Sequence, residues 1–168
     1  MPNNKVLIPL NQSELSQEIL PYVEKFIPAE ANELILFFVT RPPSGAGFGE
    51  PDLAAGYVPR PGDKPVMPTL HPIYESQQED SITAHVEAEL MSVTSRLRDA
   101  GYQVSLVVGF DKDPVEAILS EIRNSNIDLV AMSTRAHVGV TRFFFRNIAD
   151  ILALKAKIPV LLTHPHED

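Results

Sequence analysis

The segment Asp128-Leu-Val-Ala-Met-Ser-Thr-Arg-Ala-His-Val-Gly-Val-Thr-Arg-Phe-Phe-Phe-Arg-Asn-Ile-Ala-Asp-Ile-Leu-Ala-Leu-Lys-Ala-Lys-Ile-Pro-Val-Leu-Leu-Thr-His164 decides the fold. An apolar run at 129–132 meets small and polar residues, a helical pattern begins near Arg142, and a second apolar run at 159–162 closes the segment. Short apolar runs bounded by turn residues suit strands buried on both faces, and parallel strands joined by a helix are where such strands occur. The segment is therefore predicted to be a βαβ unit.

The same alternation extends back to the N-terminus. Residues 6–10 form a first apolar run, with Pro9 near its end, where a missing amide donor costs least. Ser13 is a good helix N-cap with Glu14 in the first turn, and Leu15, Ile19, Tyr22, Val23, Phe26 and Ile27 supply one apolar face. Pro21 falls inside that helix and should kink it, because its ring displaces the bond to the Gln17 carbonyl. Residues 33–40 read as the second strand.

From 42 to 72 the chain is rich in proline and glycine, which excludes regular structure and marks an insertion at about 42–75 in an otherwise single domain spanning 1–168. A loop that long inside a compact domain is either functional or disordered. A helical pattern resumes near Ser76, is clear from Ile82, and stops at Gly101 as C-cap. Residues 102–108 read as the third strand. Asp113 is the predicted N-cap of the next helix, with Pro114 at its first position and Glu116 completing a capping box. The sum is an α/β chain with a parallel sheet of five strands and helices on both faces.

Composition excludes several function classes. Lys and Arg number 14 against 22 Asp and Glu, a formal net charge of −8. Such a chain has no general electrostatic reason to seek nucleic acid phosphates or anionic lipid, so neither nucleic acid nor membrane is an expected partner. The 168 residues contain no cysteine, which rules out disulfides and thiol catalysis. No apolar run approaches the roughly 18 residues of a membrane span, and the first residues lack a signal-like apolar region, so a cytoplasmic location is expected.

The closing segment resembles that of the universal stress protein family, in which Asp-Leu-(hydrophobic)-Met precedes Gly-x-x-Gly, nine residues, then Gly-Ser or Gly-Thr. The resemblance extends over the whole pattern, including Ile8-Pro-Leu-Asn-x-Ser-Glu-Leu15 and Gly109-(x)3-Asp-Pro114. It implies strand order 3-2-1-4-5, a stress-response role and a homodimer, often formed through the last strand, here 159–162. In the nucleotide-binding branch the glycines let backbone amides approach ATP phosphates. Here those positions hold Ser133, Ala136 and Arg146, followed by Asn147, so the ATP motif is degenerate. Where that branch carries Asp, this chain has Asn11, which lacks the charge a divalent metal prefers.

With that strand order, ligands would bind between the carboxyl ends of the first and fourth strands. The candidate cofactor-binding residues are Asn11, Thr40, Ser133, Arg135, Ala136, Gly139, Arg142, Arg146 and Asn147, for ATP or AMP. Two readings stand side by side. The arginines either rebuild a phosphate site with side chains or are solvated charges and partners of acidic residues. Asn11 is either a ligand contact or a turn residue. At least one of Phe143, Phe144 and Phe145 should lie near the surface. His164 and His166 resemble a metal cluster but stand in a chain end, His71 and His85 have no evident partner, and no metal site is assigned. No nucleophile–base–acid set and no phosphate-binding glycine loop of the Walker or dinucleotide type is present, so no catalytic residue is assigned. The expected function is binding, to a second copy and to an unidentified protein partner. An adenine-nucleotide module is the alternative, and an ATP-dependent enzyme stands behind both.

Overall fold

A computed structural model of the chain describes residues 2, 4–11, 14–43, 72–134 and 148–164. Five strands alternate with helices: β1 (Asn4–Leu10), α1 (Leu20–Phe26), β2 (Asn32–Thr40), α2 (Pro72–Asp99), β3 (Gln103–Phe110), α3 (Pro114–Asn124), β4 (Leu129–Ser133), α4 (Ile148–Lys155) and β5 (Val160–Thr163). All neighbouring strands pair in parallel, in the order β3-β2-β1-β4-β5. The predicted five-stranded α/β sheet and its order are both present.

The apolar runs have a simple cause. Val6, Ile8 and Leu10 of β1 point into a core shared with α1 and α2, while Leu7 points into the core shared with α3 and α4. Val6, Leu7 and Ile8 are wholly inaccessible, so alternation of side chains still demands apolar residues at every position. Pro9 sits in this central strand opposite Phe37, beyond the two β4 pairings at Val6 and Leu7.

Near the N-terminus the structure corrects the expected single kinked helix. Glu14–Ile19 is a 3-10 helix, and α1 starts only at Leu20, with Pro21 in its first turn. Proline has no amide to give Gln17 and its ring would strike that carbonyl, whereas in a first turn neither matters. Ser13, the expected cap, lies outside the described residues. Residues 44–71, within the expected insertion, also lie outside them, and Pro72 opens α2 four residues before Ser76. The expected helix start at Arg142 and the three phenylalanines fall outside the described residues too.

Helix ends follow the sequence closely, with one exchange of partners. The Asp113 carboxylate accepts from the Val115 amide at 2.9 Å and from the Glu116 amide at 3.4 Å. The reciprocal bond expected from Glu116 is made instead by Asp111, whose Oδ1 accepts from the Asp113 amide at 2.9 Å. At the end of α2, Gly101 adopts φ +96°. Its amide donates to Arg98 O at 2.9 Å and the Tyr102 amide to Leu97 O at 3.1 Å, a Schellman ending that needs glycine at this φ. Asn126 (φ 52°) and Lys157 (φ 58°) turn the chain after α3 and α4 in the same left-handed region. At the amino edge the Lys5 amide donates to Asp128 Oδ2 at 2.8 Å and the Asp128 amide to Lys5 O at 2.9 Å, fixing β1 against β4.

Tyr102 joins two elements far apart in sequence. Its buried phenol donates to the Ile27 carbonyl at 2.6 Å, just past the end of α1, with the Val23 carbonyl at 3.4 Å. Burial, helped by the negative charge of Glu24 and Glu30, pushes its pKa above 10.0. Tyr102→Phe should lower stability by about 1 kcal/mol, the usual worth of such a bond, in urea unfolding at neutral pH. Because the folded state favours the neutral phenol, this contribution is whole below the unfolded pKa of about 10 and fades as pH rises through the folded value. The phenylalanine variant should therefore lose less stability than the parent in strong alkali.

Gly109 on β3 packs under Phe37 of β2. A β-carbon at Gly109 would lie 2.6 Å from the Phe37 ring, which is itself buried. Gly109→Ala should cost about 1–3 kcal/mol, since the ring must leave its place in a filled core. Urea midpoints of the two proteins check this, with an unchanged midpoint as the contrary result.

Candidate functional site

Strand order reverses between β1 and β4, and the crevice beyond their carboxyl ends is where an open parallel sheet offers a site. The register Leu7 to Val130, carried forward, sets Asn11 level with Thr134, one step past both strands. Thr40 ends β2 on one side of β1 and Ser133 ends β4 on the other. At about 4.8 Å per strand they are about 10 Å apart across the sheet. Asn11, Thr40 and Ser133 are thus brought to one edge.

Each is already engaged in local structure. The Asn11 amide donates to Ser16 Oγ at 3.2 Å, and the Ser16 hydroxyl lies 3.3 Å from the Asn11 carbonyl, both contacts being made by the Asn11 main chain. The Thr40 carbonyl accepts the Asp111 amide at 3.0 Å, tying the end of β2 to the end of β3. The half-buried Ser133 is in register with Thr163, whose hydroxyl lies 3.4 Å from Ser133 Oγ. The Thr134 amide donates to Thr163 O at 2.9 Å, and both threonines are buried. The β4 and β5 ends therefore close on each other through hydroxyls and one main-chain bond.

Arg135, Ala136, Gly139, Arg142, Arg146 and Asn147 lie outside the described residues, in the stretch between Thr134 and α4. Thr134 and Thr163 were not singled out from sequence. The only available signal was a polar residue closing each apolar run, and their pairing depends on a register that no single sequence states.

A depression of about 210 Å³ lies elsewhere, between the edge strand β3 and α3, with Phe37, Gly109, Phe110, Asp111, Ser120 and Glu121 on its wall. It is smaller than the roughly 300–1,000 Å³ of small-molecule sites. Both of its carboxylates are committed: Asp111 to the Asp113 amide and Glu121 to the Ser125 hydroxyl. None of its lining residues belongs to β1 or β4.

Among the described residues, no three His, Asp or Glu side chains come together as metal ligands, and no buried side-chain nitrogen or oxygen lacks a hydrogen-bond partner. His85, expected to be alone, has Glu89 one helical turn on at 3.7 Å, both exposed. No described helix is long and apolar enough to cross a membrane.

Solved structures share this architecture. A universal stress protein family member from Burkholderia pseudomallei matches with 17% identity, 95% of each chain covered and a TM-score of 0.58. A universal stress protein solved in complex with cAMP matches at 17% identity, 98% coverage of each chain and TM-score 0.57. A family protein from Arabidopsis thaliana with AMP bound matches at 12% identity over 98% of this chain and 94% of that one, TM-score 0.57. No curated protein sequence matches. The model of the universal stress protein family matches residues 2–164, and with the sheet order and helix placement described above the chain belongs to that family.

Proposed function

We propose that this universal stress protein acts by binding rather than by catalysis, as a cytoplasmic homodimer that engages a protein partner during stress. The observation that carries this reading is the state of the β4 end. Ser133 stands where the nucleotide-binding branch has glycine, and its Oγ lies 3.4 Å from the Thr163 hydroxyl, so a side chain stands at the carboxyl end of β4 where that branch has bare main chain. Ala136 and Arg146 replace the other two glycines, and Asn11 replaces a carboxylate that a metal would use. The whole chain, 1–168, forms one domain with an insertion at about 42–75. Its net charge of −8 argues against nucleic acid and anionic membrane as partners.

The dimer is assigned to β5. Val160, Leu161 and Leu162 are half-buried on the strand that ends the sheet among the described residues, and Leu154 on the preceding helix is 78% exposed. A free edge with apolar neighbours is a template for pairing with a second copy. Sedimentation equilibrium should give twice the 18.6 kDa chain mass, and the monomer mass at micromolar concentration would remove this part of the proposal.

A second reading rests on the cAMP and AMP found with the two structural neighbours. In it, Asn11, Thr40, Ser133 and Gly139 meet an adenine nucleotide while Arg135, Arg142, Arg146 and Asn147 hold its phosphate in place of backbone amides. Arg146→Gly combined with Asn147→Ser separates the two. Under the proposed reading the double variant gains a thermal shift with ATP that the parent lacks; under the second it loses a shift that the parent shows.

A further inference from the structure

Among the described residues, β3 ends the sheet on the side opposite β5, and nothing in its sequence blunts that edge. Edge strands are commonly kept from pairing by lysine, proline, a bulge or shortness. Gln103–Phe110 has no charge and no proline, runs for eight residues against four in β5, and pairs with β2 without a break in register. Two bonds show which way its main chain faces. The Asp111 amide turns back to Thr40 O of β2, whereas the Val104 carbonyl turns outward and accepts from Arg98 Nη2 at 3.0 Å. Main-chain direction alternates along a strand, so the amides and carbonyls of Leu106, Val108 and Phe110 also face outward. Among the described residues nothing pairs with them.

Each face of the sheet offers a contact beside this edge. On the α2 face, Arg98 marks the helix stripe that overlooks the edge, and Met91, two turns earlier on the same stripe, is 66% exposed. Because α2 turns back into β3 at Gly101, that step of about 10 Å sets Met91 near the level of Val107. On the α3 face, the depression of about 210 Å³ lies beside Gly109, lined by apolar Phe37, Val107 and Ala117 and by the carboxylates of Asp111 and Glu121. Each carboxylate gives one oxygen to its local bond, and neither is in an ion pair among the described residues.

We propose that the β3 edge binds an extended peptide of a partner protein as a further strand, with a lysine or arginine in the depression and apolar side chains against Met91. Successive side chains of an added strand face opposite sides, so the occupant alternates cationic and apolar residues. The depression is too small for most small-molecule ligands and suits one long side chain, its stem on Phe37 and Val107 and its charge at the carboxylates. A second copy of this chain fits less well, because it brings another net charge of −8 to the same groove. The inference rests on the protein-binding role proposed above and gives that partner its place and chemistry.

The probe is a fluorescein-labelled heptapeptide of alternating valine and lysine, titrated into the full chain and followed by polarisation, with amide hydrogen exchange read by NMR. Binding should slow exchange of the Leu106 and Val108 amides at least tenfold while the Leu161 and Leu162 amides of β5 stay as they were. Val108→Pro removes an outward donor and no bond to β2, and should weaken binding at least tenfold. Glu121→Lys leaves the strand intact, so it serves if the proline variant folds poorly; it should weaken binding at least fivefold and favour a peptide with glutamate in place of lysine. No binding at millimolar peptide, or binding untouched by either variant, would overturn the proposal. Protection of the Leu106 and Val108 amides in peptide-free protein would overturn it as well, showing an edge already covered, by a second copy where protection grows with protein concentration. Failure at β3 alone leaves the binding role standing, because titration with ATP judges that role separately.

Discussion

The whole structure depends on burying β1 on both faces. Val6, Leu7 and Ile8 reach no solvent, and each face of the strand needs its own helix pair: α1 with α2 on one side, α3 with α4 on the other. Parallel strands can be joined only by crossovers, so a central strand of this kind requires the alternation of strands and helices that follows it. The reversal of order beside β1 is a by-product of covering both faces, and it leaves a crevice at the carboxyl ends. The position of the candidate site is thus a consequence of core packing before any ligand is considered.

Around that crevice the strand ends are tied locally: the Asn11 main chain to Ser16, the Thr40 carbonyl to Asp111, and Ser133 Oγ near the Thr163 hydroxyl. None of these contacts is strong by itself, since a neutral hydrogen bond adds only about 1 kcal/mol net. Their effect is geometric. A β-carbon and a hydroxyl occupy the end of β4, where a close main-chain approach to phosphate calls for glycine.

Much of this was legible in the residues. Continuous apolar runs gave the strands, because burial on two faces removes the polar alternation that marks half-exposed sheets. Asp113, Pro114 and Gly101 marked helix ends through short-range chemistry that needs no tertiary context. The split of the first helix was harder to read, since the effect of Pro21 falls on residues before it and not only at the proline. Asp111 displaced Glu116 as a capping partner because a carboxylate two residues away reaches the same amide. At the site, Asn11, Thr40 and Ser133 could be placed from strand ends alone, whereas the Ser133–Thr163 pairing required strand register. The closeness of Phe37 to Gly109 likewise depends on two neighbouring strands. The second half of the candidate site, from Arg135 to Asn147, was read from family resemblance and lies outside the described residues.

The central claim is that this chain keeps the family's sheet while its crevice no longer serves as a nucleotide cradle. Calorimetric titration of the purified full chain with ATP, ADP and AMP, each with and without magnesium, tests it most directly. The account predicts no binding heat for any of the three under either condition. Saturable micromolar binding of any one of them would contradict it and would place the arginines beyond β4 in the role of the lost glycines.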